Sequence, residues 1–126
     1  MLWLEIPKIE LKREVYSMDS PFNHVDYHVE ILKESNQEHQ VLFLASHSGR
    51  GDNSYFNDLI YLEKGDSIWI FFEGKRYNFF VDDVYLVSKT GYLALEEENL
   101  VDVLYLITCS LVYTDKQLVV RANLVC

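Results

Sequence analysis

Apolar residues recur with a period of two along most of the chain, which is the spacing of half-buried β-strands rather than of helices. The segment from Ile6 to Lys12 places Ile9 and Leu11 on one face and charged side chains on the other. It predicts an edge strand, which tolerates Pro7 near its start. Apolar and β-branched runs predict further strands at Val41 to Ala45, Ser67 to Phe72, Arg76 to Val87, Val103 to Thr108 and Leu118 to Val125.

Two segments carry helical signals. Ser54 is suited to an N-cap, and Gly65 to the left-handed position that ends a helix, with Phe56, Leu59, Ile60 and Leu62 forming an apolar stripe between them. This pattern predicts a short helix.

The segment from Val25 to Leu32 fits two structures. Its apolar residues recur at spacings of three and four, which indicates a second short helix, while Tyr27, Val29 and Ile31 alternate as in a strand. A glycine turn at Glu73-Gly74-Lys75 predicts a hairpin between its flanking strands. Six or more strands with one or two short helices predict an all-β fold, a closed or nearly closed barrel.

Composition limits the classes of function. With 126 residues, of which 49% are hydrophobic, the chain fits one globular domain. Its net charge of -9 and pI near 4.8 argue against nucleic acid as a partner, because phosphate binding relies on clustered lysine and arginine. No apolar run reaches the roughly 18 residues of a membrane-spanning helix, and the first residues lack the pattern of a signal peptide.

The cysteine and histidine spacing predicts no metal and no cofactor. The two cysteines have no C-x-x-C spacing, which argues against a zinc ribbon and against a disulfide framework. A single Cys109 to Cys126 disulfide remains open. His24 and His28 would share a face if helical, but no acid or thiol cluster accompanies them, so surface histidines are the simpler interpretation.

One pair of residues indicates covalent chemistry. The apolar run from Tyr105 to Thr108 ends in Cys109, and His47 follows the run from Val41 to Ala45. A thiol and an imidazole carried at the ends of strands predict a cysteine nucleophile beside its acid–base partner.

Five short motifs, met in order along nearly the whole chain, resemble the sortase family. They are Ile6-Pro7-Lys8-Ile9, Ala45-Ser46-His47, Phe56-x-x-Leu59-x-x-Leu62-x-x-Gly65-Asp66-x-Ile68, Leu106-Ile107-Thr108-Cys109 and Leu118-Val119-Val120-x-Ala122-x-Leu124-Val125. The resemblance implies an eight-stranded β-barrel and a cysteine transpeptidase. Such an enzyme cuts a sorting signal similar to Leu-Pro-x-Thr-Gly and joins the new carboxyl end to an amine of peptidoglycan or of a pilin.

Carried over motif by motif, the resemblance implies Cys109 as nucleophile and His47 as the catalytic histidine. Ser46 stands where the family has a glycine, and Gln117 stands where it has a catalytic arginine. Gln117 is therefore expected to donate hydrogen bonds to the substrate or the oxyanion. Arg121 is the reserve candidate, on the same strand face but about 13 Å further along.

The resemblance also implies one catalytic domain over residues 1–126, without the N-terminal anchor of the family. The native protein is expected to be tethered at the extracellular face of the membrane of a Gram-positive bacterium. Two other functions stay open. One is a sortase-like hydrolase that releases its peptide to water, and the other is a non-catalytic barrel that binds sorting signals or a partner.

Overall fold

A computed structural model describes residues 2–16, 19–23, 29–32, 41–46, 55–88, 103–109 and 115–125. Over these ranges the chain forms eight β-strands and two single turns of 3-10 helix, at Pro7–Ile9 and Leu59–Tyr61. The strands are β1 (Leu2–Ile6), β2 (Leu11–Val15), β3 (Glu30–Ile31), β4 (Val41–Ala45), β5 (Ser67–Phe72), β6 (Lys75–Ser88), β7 (Val103–Cys109) and β8 (Lys116–Leu124). The prediction of an all-β chain is confirmed.

The strands form one sheet in the order β2-β1-β5-β6-β8-β7-β4-β3, which curls into a nearly closed barrel. Neighbouring strands are antiparallel except β4 and β7, which run parallel. Because parallel strands end on the same side, the carboxyl ends of β4 and β7 lie at one end of the barrel. Strand β8 begins at that same end, since it runs antiparallel to β7.

One face of every strand lines the barrel interior. Leu4, Ile70, Leu104 and Val120 are typical of this core, with exposed fractions of 4% or less. Burying each such side chain is worth about 1.5 to 3 kcal/mol, so the interior supplies most of the driving force for closing the sheet.

The predicted strand from Ile6 to Lys12 is wrong in part, because a tight turn interrupts it. Strand β1 ends at Ile6, Pro7–Ile9 form a 3-10 turn, and Glu10 takes a left-handed φ of 53° before β2 begins at Leu11. Proline favours this turn, since its ring fixes φ and it lacks an amide donor. Ile9 and Leu11 both still pack against the core, which is why the alternation continues through the turn unbroken.

The predicted helix after Ser54 is a 3-10 turn instead of an α-helix. Phe56, Leu59 and Leu62 are buried, whereas Ile60 is 47% exposed. Buried residues three apart match the three residues per turn of a 3-10 helix, and an α-helix would have buried Ile60 with them. Ser54 lies outside the described residues.

The turns that flank β5 confirm two sequence predictions. Gly65 has a φ of +97°, the left-handed conformation expected of it. Glu73 and Gly74 both have positive φ, at 49° and 79°, and Phe72 pairs with Lys75 across them. This is the two-residue primed turn whose twist matches a β-hairpin.

The segment from Val25 to Leu32, which fits either a helix or a strand, contains strand β3 in its described part. Glu30–Ile31 are a strand paired with β4, while residues 24–28 lie outside the described ranges. The side-chain amide of Asn23 pairs with the backbone of Ile31 on the far side from β4. Its Nδ2 donates to the Ile31 carbonyl at 3.2 Å, and its Oδ1 accepts from the Ile31 amide at 2.7 Å.

Candidate active site

The predicted nucleophile position ends strand β7. Cys109 is the last residue of β7 and is the direct cross-strand partner of Gln117, near the start of β8. Gln117 is half-buried. The backbone of Cys109 is described, whereas its side chain and all of His47 lie outside the described part of the chain.

The parallel pair of β4 and β7 organises this end of the barrel. Val41 pairs with Val103 and Ala45 pairs with Ile107 in one unbroken register. The pairing extends one residue past β4, because the amide of Ser46 donates to the carbonyl of Ile107 at 3.2 Å. Ser46 is 3% exposed. The residue that precedes His47 in sequence is thus fixed beside β7, two positions before Cys109.

Arg121 lies away from this end, in the middle of β8. Its cross-strand partner on β7 is Tyr105, four positions before Cys109, or about 13 Å along the strand. Its guanidinium is held by the Asp82 carboxylate, with Nε at 3.0 Å and Nη2 at 2.6 Å from Oδ2.

The acidic partner of this ion pair lies at a β-bulge. The register of β6 on β8 shifts between Val81 and Asp83, so Asp82 is the extra residue. Before the bulge the odd-numbered Val81 faces the core, and after it the even-numbered Val84 does, so the bulge changes which alternate residues of β6 point inward. This ion pair could not be predicted from the sequence, because a bulge inside an alternating run carries no distinct composition.

A second apolar cluster lies on the face opposite to the core, across β4, β7 and β8. We call it the outer cluster, and its buried members are Phe43, Val103, Tyr105, Ile107 and Val119. The rings of Phe43 and Tyr105 stack with centroids 4.7 Å apart and planes 7° from parallel. Strand alternation places Gln117, two residues before Val119, on the side of β8 that carries this cluster.

The sequence contained a signal for this cluster. The run Val103 to Ile107 is apolar at every position, which is typical of a strand buried on both faces.

The next residue, Thr108, is 4% exposed and its Oγ1 has no hydrogen-bond partner among the described residues. Such a buried hydroxyl is costly, since it has lost water without gaining a partner.

The ion pair of Lys8 and Asp66 shifts the pKa of both groups. Burial acts to raise the pKa of Asp66, but hydrogen bonds from the Glu63 amide and the Lys8 ammonium outweigh it and lower the pKa below 3.8. The hydrogen bond to Asp66 raises the pKa of Lys8 above 10.5. This pair links the turn after β1 to the turn before β5.

Two features are absent from the described ranges. No three histidine, cysteine, aspartate or glutamate residues there are grouped closely enough to hold a metal ion. Nor do those ranges contain a helix with the length and apolarity to cross a membrane.

Comparisons with known proteins agree with this architecture. A family model described as the sortase domain matches residues 4–125. Sortase C1 from Streptococcus agalactiae is 23% identical with a TM-score of 0.82, and the match covers 98% of this chain and 66% of that one. Sortase A from Corynebacterium diphtheriae is 23% identical with a TM-score of 0.83, covering 99% and 60%. Sortase C1 from Streptococcus suis is 26% identical with a TM-score of 0.80, covering 98% and 72%.

The chain belongs to the sortase family, because the family model spans nearly its whole length. It covers about two thirds of the length of the first of these solved structures. No curated protein sequence matches it. Sortases as a family are transpeptidases of the cell surface, with sorting signals and cell-wall or pilin acceptors as substrates.

Proposed function

We propose that this chain is a cysteine transpeptidase of the cell surface. It cleaves a sorting signal similar to Leu-Pro-x-Thr-Gly and transfers the acyl part to an amine of peptidoglycan or of a pilin. Residues 1–126 act as one catalytic domain, at the extracellular face of the membrane. Cys109 is the nucleophile, His47 the acid–base residue, and Gln117 the hydrogen-bond donor.

The register of β4 on β7 is the observation that carries the proposal. Ala45 pairs with Ile107, and the Ser46 amide binds the carbonyl of Ile107. The same register carried forward by two residues would pair position 47 with position 109. Cys109 is the last residue of β7, and His47 comes two residues after the end of β4 in the sequence. A thiol and an imidazole that are far apart in sequence thus come from strand ends that lie side by side, as an acid–base partner of a thiol requires.

The reaction needs a thiolate at Cys109. A free cysteine has a pKa of about 8.5 and is only a few per cent thiolate near neutral pH, so His47 must supply a proton acceptor or a neighbouring positive charge. The thiolate attacks the carbonyl before the scissile amide, and His47 protonates the departing amine. The acyl group then forms a thioester, which an incoming amine deprotonated by His47 resolves.

Gln117 is favoured over Arg121 as the donor. Gln117 is the direct cross-strand partner of Cys109, whereas Arg121 is four positions away and already donates two hydrogen bonds to Asp82. A neutral amide donates less strongly than a guanidinium, and losing one oxyanion donor costs about 3 to 4 kcal/mol in comparable enzymes. We therefore expect acyl transfer that is slower than with arginine at this position.

Mass spectrometry of the intact protein tests the proposal. Incubation with a Leu-Pro-x-Thr-Gly peptide should add the acyl mass to the protein, and an added amine should remove it as the transpeptidation product. Cys109→Ala should abolish the adduct and His47→Ala should slow its formation, with thermal unfolding showing that both variants fold. An adduct that persists in Cys109→Ala would reject the assignment.

A non-catalytic barrel that binds sorting signals is the second candidate, and the glutamine at position 117 is what favours it. The variant Gln117→Arg separates the two. In a transpeptidase limited by its weak donor, it should raise the acylation rate by up to about a hundredfold. A binding barrel would hold the peptide without forming an adduct in either form, and a hydrolase would form the adduct but release it to water even with amine present.

A further inference from the structure

Away from the candidate site, one broad side of the barrel carries aromatic side chains that point outward. Strands β1, β5 and β6 contribute alternate residues to it, since their intervening neighbours, such as Leu4 and Ile70, belong to the core. We call this the aromatic face, and its aromatic members are Trp3, Trp69, Phe71 and Phe80. Phe80 is 39% exposed and the other three are half-buried.

Two cations lie over these rings. The Arg76 guanidinium carbon is 4.4 Å from the centroid of Trp69, and the Lys12 ammonium is 5.9 Å from the centroid of Phe71. Both side chains are exposed, and neither forms an ion pair with any described residue. The chain has a net charge of -9, so carboxylates are plentiful. It is therefore unusual that two cations on one face contact aromatic rings and not carboxylates.

The charge of the aromatic face differs from that of the chain. Its outward positions on β1 and β2 also carry Glu5 and Glu14, which balance Lys12 and Arg76 to a formal charge of zero. Glu73 and Lys75 balance one another at the hairpin tip. A negatively charged surface therefore meets no net repulsion here, although the chain as a whole carries -9.

We propose that the aromatic face docks on the lipid–water interface of a membrane that contains anionic lipids. Tryptophan and phenylalanine beside lysine and arginine are the composition of such interfaces, where rings lie at headgroup depth and long cationic side chains reach the phosphates. Adjacent strands also present these groups on a broad surface, which suits a membrane. A glycan is disfavoured, because stacking a sugar needs open ring faces and two of these rings are covered by cations.

Tryptophan fluorescence tests the proposal without any measurement of activity, so its outcome is independent of the proposed chemistry. Trp3 and Trp69 are the only tryptophans of the chain, and both belong to the aromatic face. Titration with vesicles of phosphatidylglycerol and phosphatidylcholine should shift their emission to shorter wavelength. Vesicles of phosphatidylcholine alone should give weaker binding, and about 0.5 M salt should weaken binding to the anionic vesicles.

Two single-charge variants sharpen the test. Arg76→Gln should weaken vesicle binding about fivefold, the usual share of one cation near an anionic membrane. Lys64→Gln removes the same charge from an exposed lysine without a ring contact, and should leave binding unchanged. Thermal unfolding checks that both variants fold. The proposal is overturned if anionic vesicles give no shift, if both variants weaken binding equally, or if the emission responds to soluble chitin oligosaccharides and not to vesicles.

Discussion

Replacing Asp82 with alanine is expected to destabilise the barrel by about 2 kcal/mol. The Asp82 carboxylate accepts hydrogen bonds at 3.0 and 2.6 Å from Arg121, and the two side chains are only 33% and 25% exposed. Fully exposed ion pairs contribute less than about 1 kcal/mol, whereas hydrogen bonds to charged groups contribute about 1.5 to 3 kcal/mol. For this intermediate burial we expect a coupling between the two side chains of about 1.5 kcal/mol.

Urea unfolding of the wild type, Asp82→Ala, Arg121→Ala and the double variant measures that coupling as a double-mutant cycle. In thermal unfolding, each kcal/mol corresponds to about 4 °C for a chain of this size. An exposed carboxylate away from this pair offers a matched control, because Asp115→Ala should change stability by less than about 0.5 kcal/mol. Additive effects of the two single changes, within about 0.3 kcal/mol, would refute the pairing as a source of stability.

Four further predictions concern stability. Thr108→Val should stabilise the fold by about 1 kcal/mol in urea unfolding, since it removes a buried hydroxyl without a partner, and a loss of stability would show that the hydroxyl is satisfied. The stability difference between wild type and Asp66→Asn should be constant near neutral pH. It should shrink below pH 3.8, because a carboxylate with a lowered pKa stabilises the fold above its ordinary pKa and loses that effect on protonation. The stabilising effect of Lys8, whose pKa is raised, should disappear as the pH rises above 10.5. Gly74→Ala should cost about 1 kcal/mol by thermal unfolding, because its φ of 79° disfavours a side chain, and an unchanged Tm would contradict this.

Elements whose signal is local could be predicted from the sequence. The hairpin around Gly74 was predicted because two β-branched and aromatic runs flank a glycine turn, and both strands formed where expected. The turn at Pro7–Ile9 was missed because alternation continued across it, and only the proline marked the break. The helix predicted around Leu59–Tyr61 is a 3-10 turn, because apolar residues at 56, 59 and 62 fit both helical periods and the apolar Ile60, which favours an α-helix, is exposed.

Features of the candidate site that depend on register could not be predicted. The cross-strand partnership of Cys109 with Gln117 follows from how β7 and β8 pair, which no local pattern determines. The ion pair of Arg121 with Asp82 joins residues from two strands and depends on one extra residue in β6. The roles of Cys109, His47 and Gln117 stay predictions, which acyl-enzyme detection can test.

The side chain of Asn23 has a consequence for how the protein behaves at high concentration. Among the described strands, β3 ends the sheet, and such an edge presents an amide and a carbonyl that can recruit a strand from another molecule. The Asn23 carboxamide has the same donor and acceptor as a peptide group, and it occupies both groups of Ile31. One side chain thus closes this edge against intermolecular strand addition, so that folded molecules do not serve as templates for aggregation at β3.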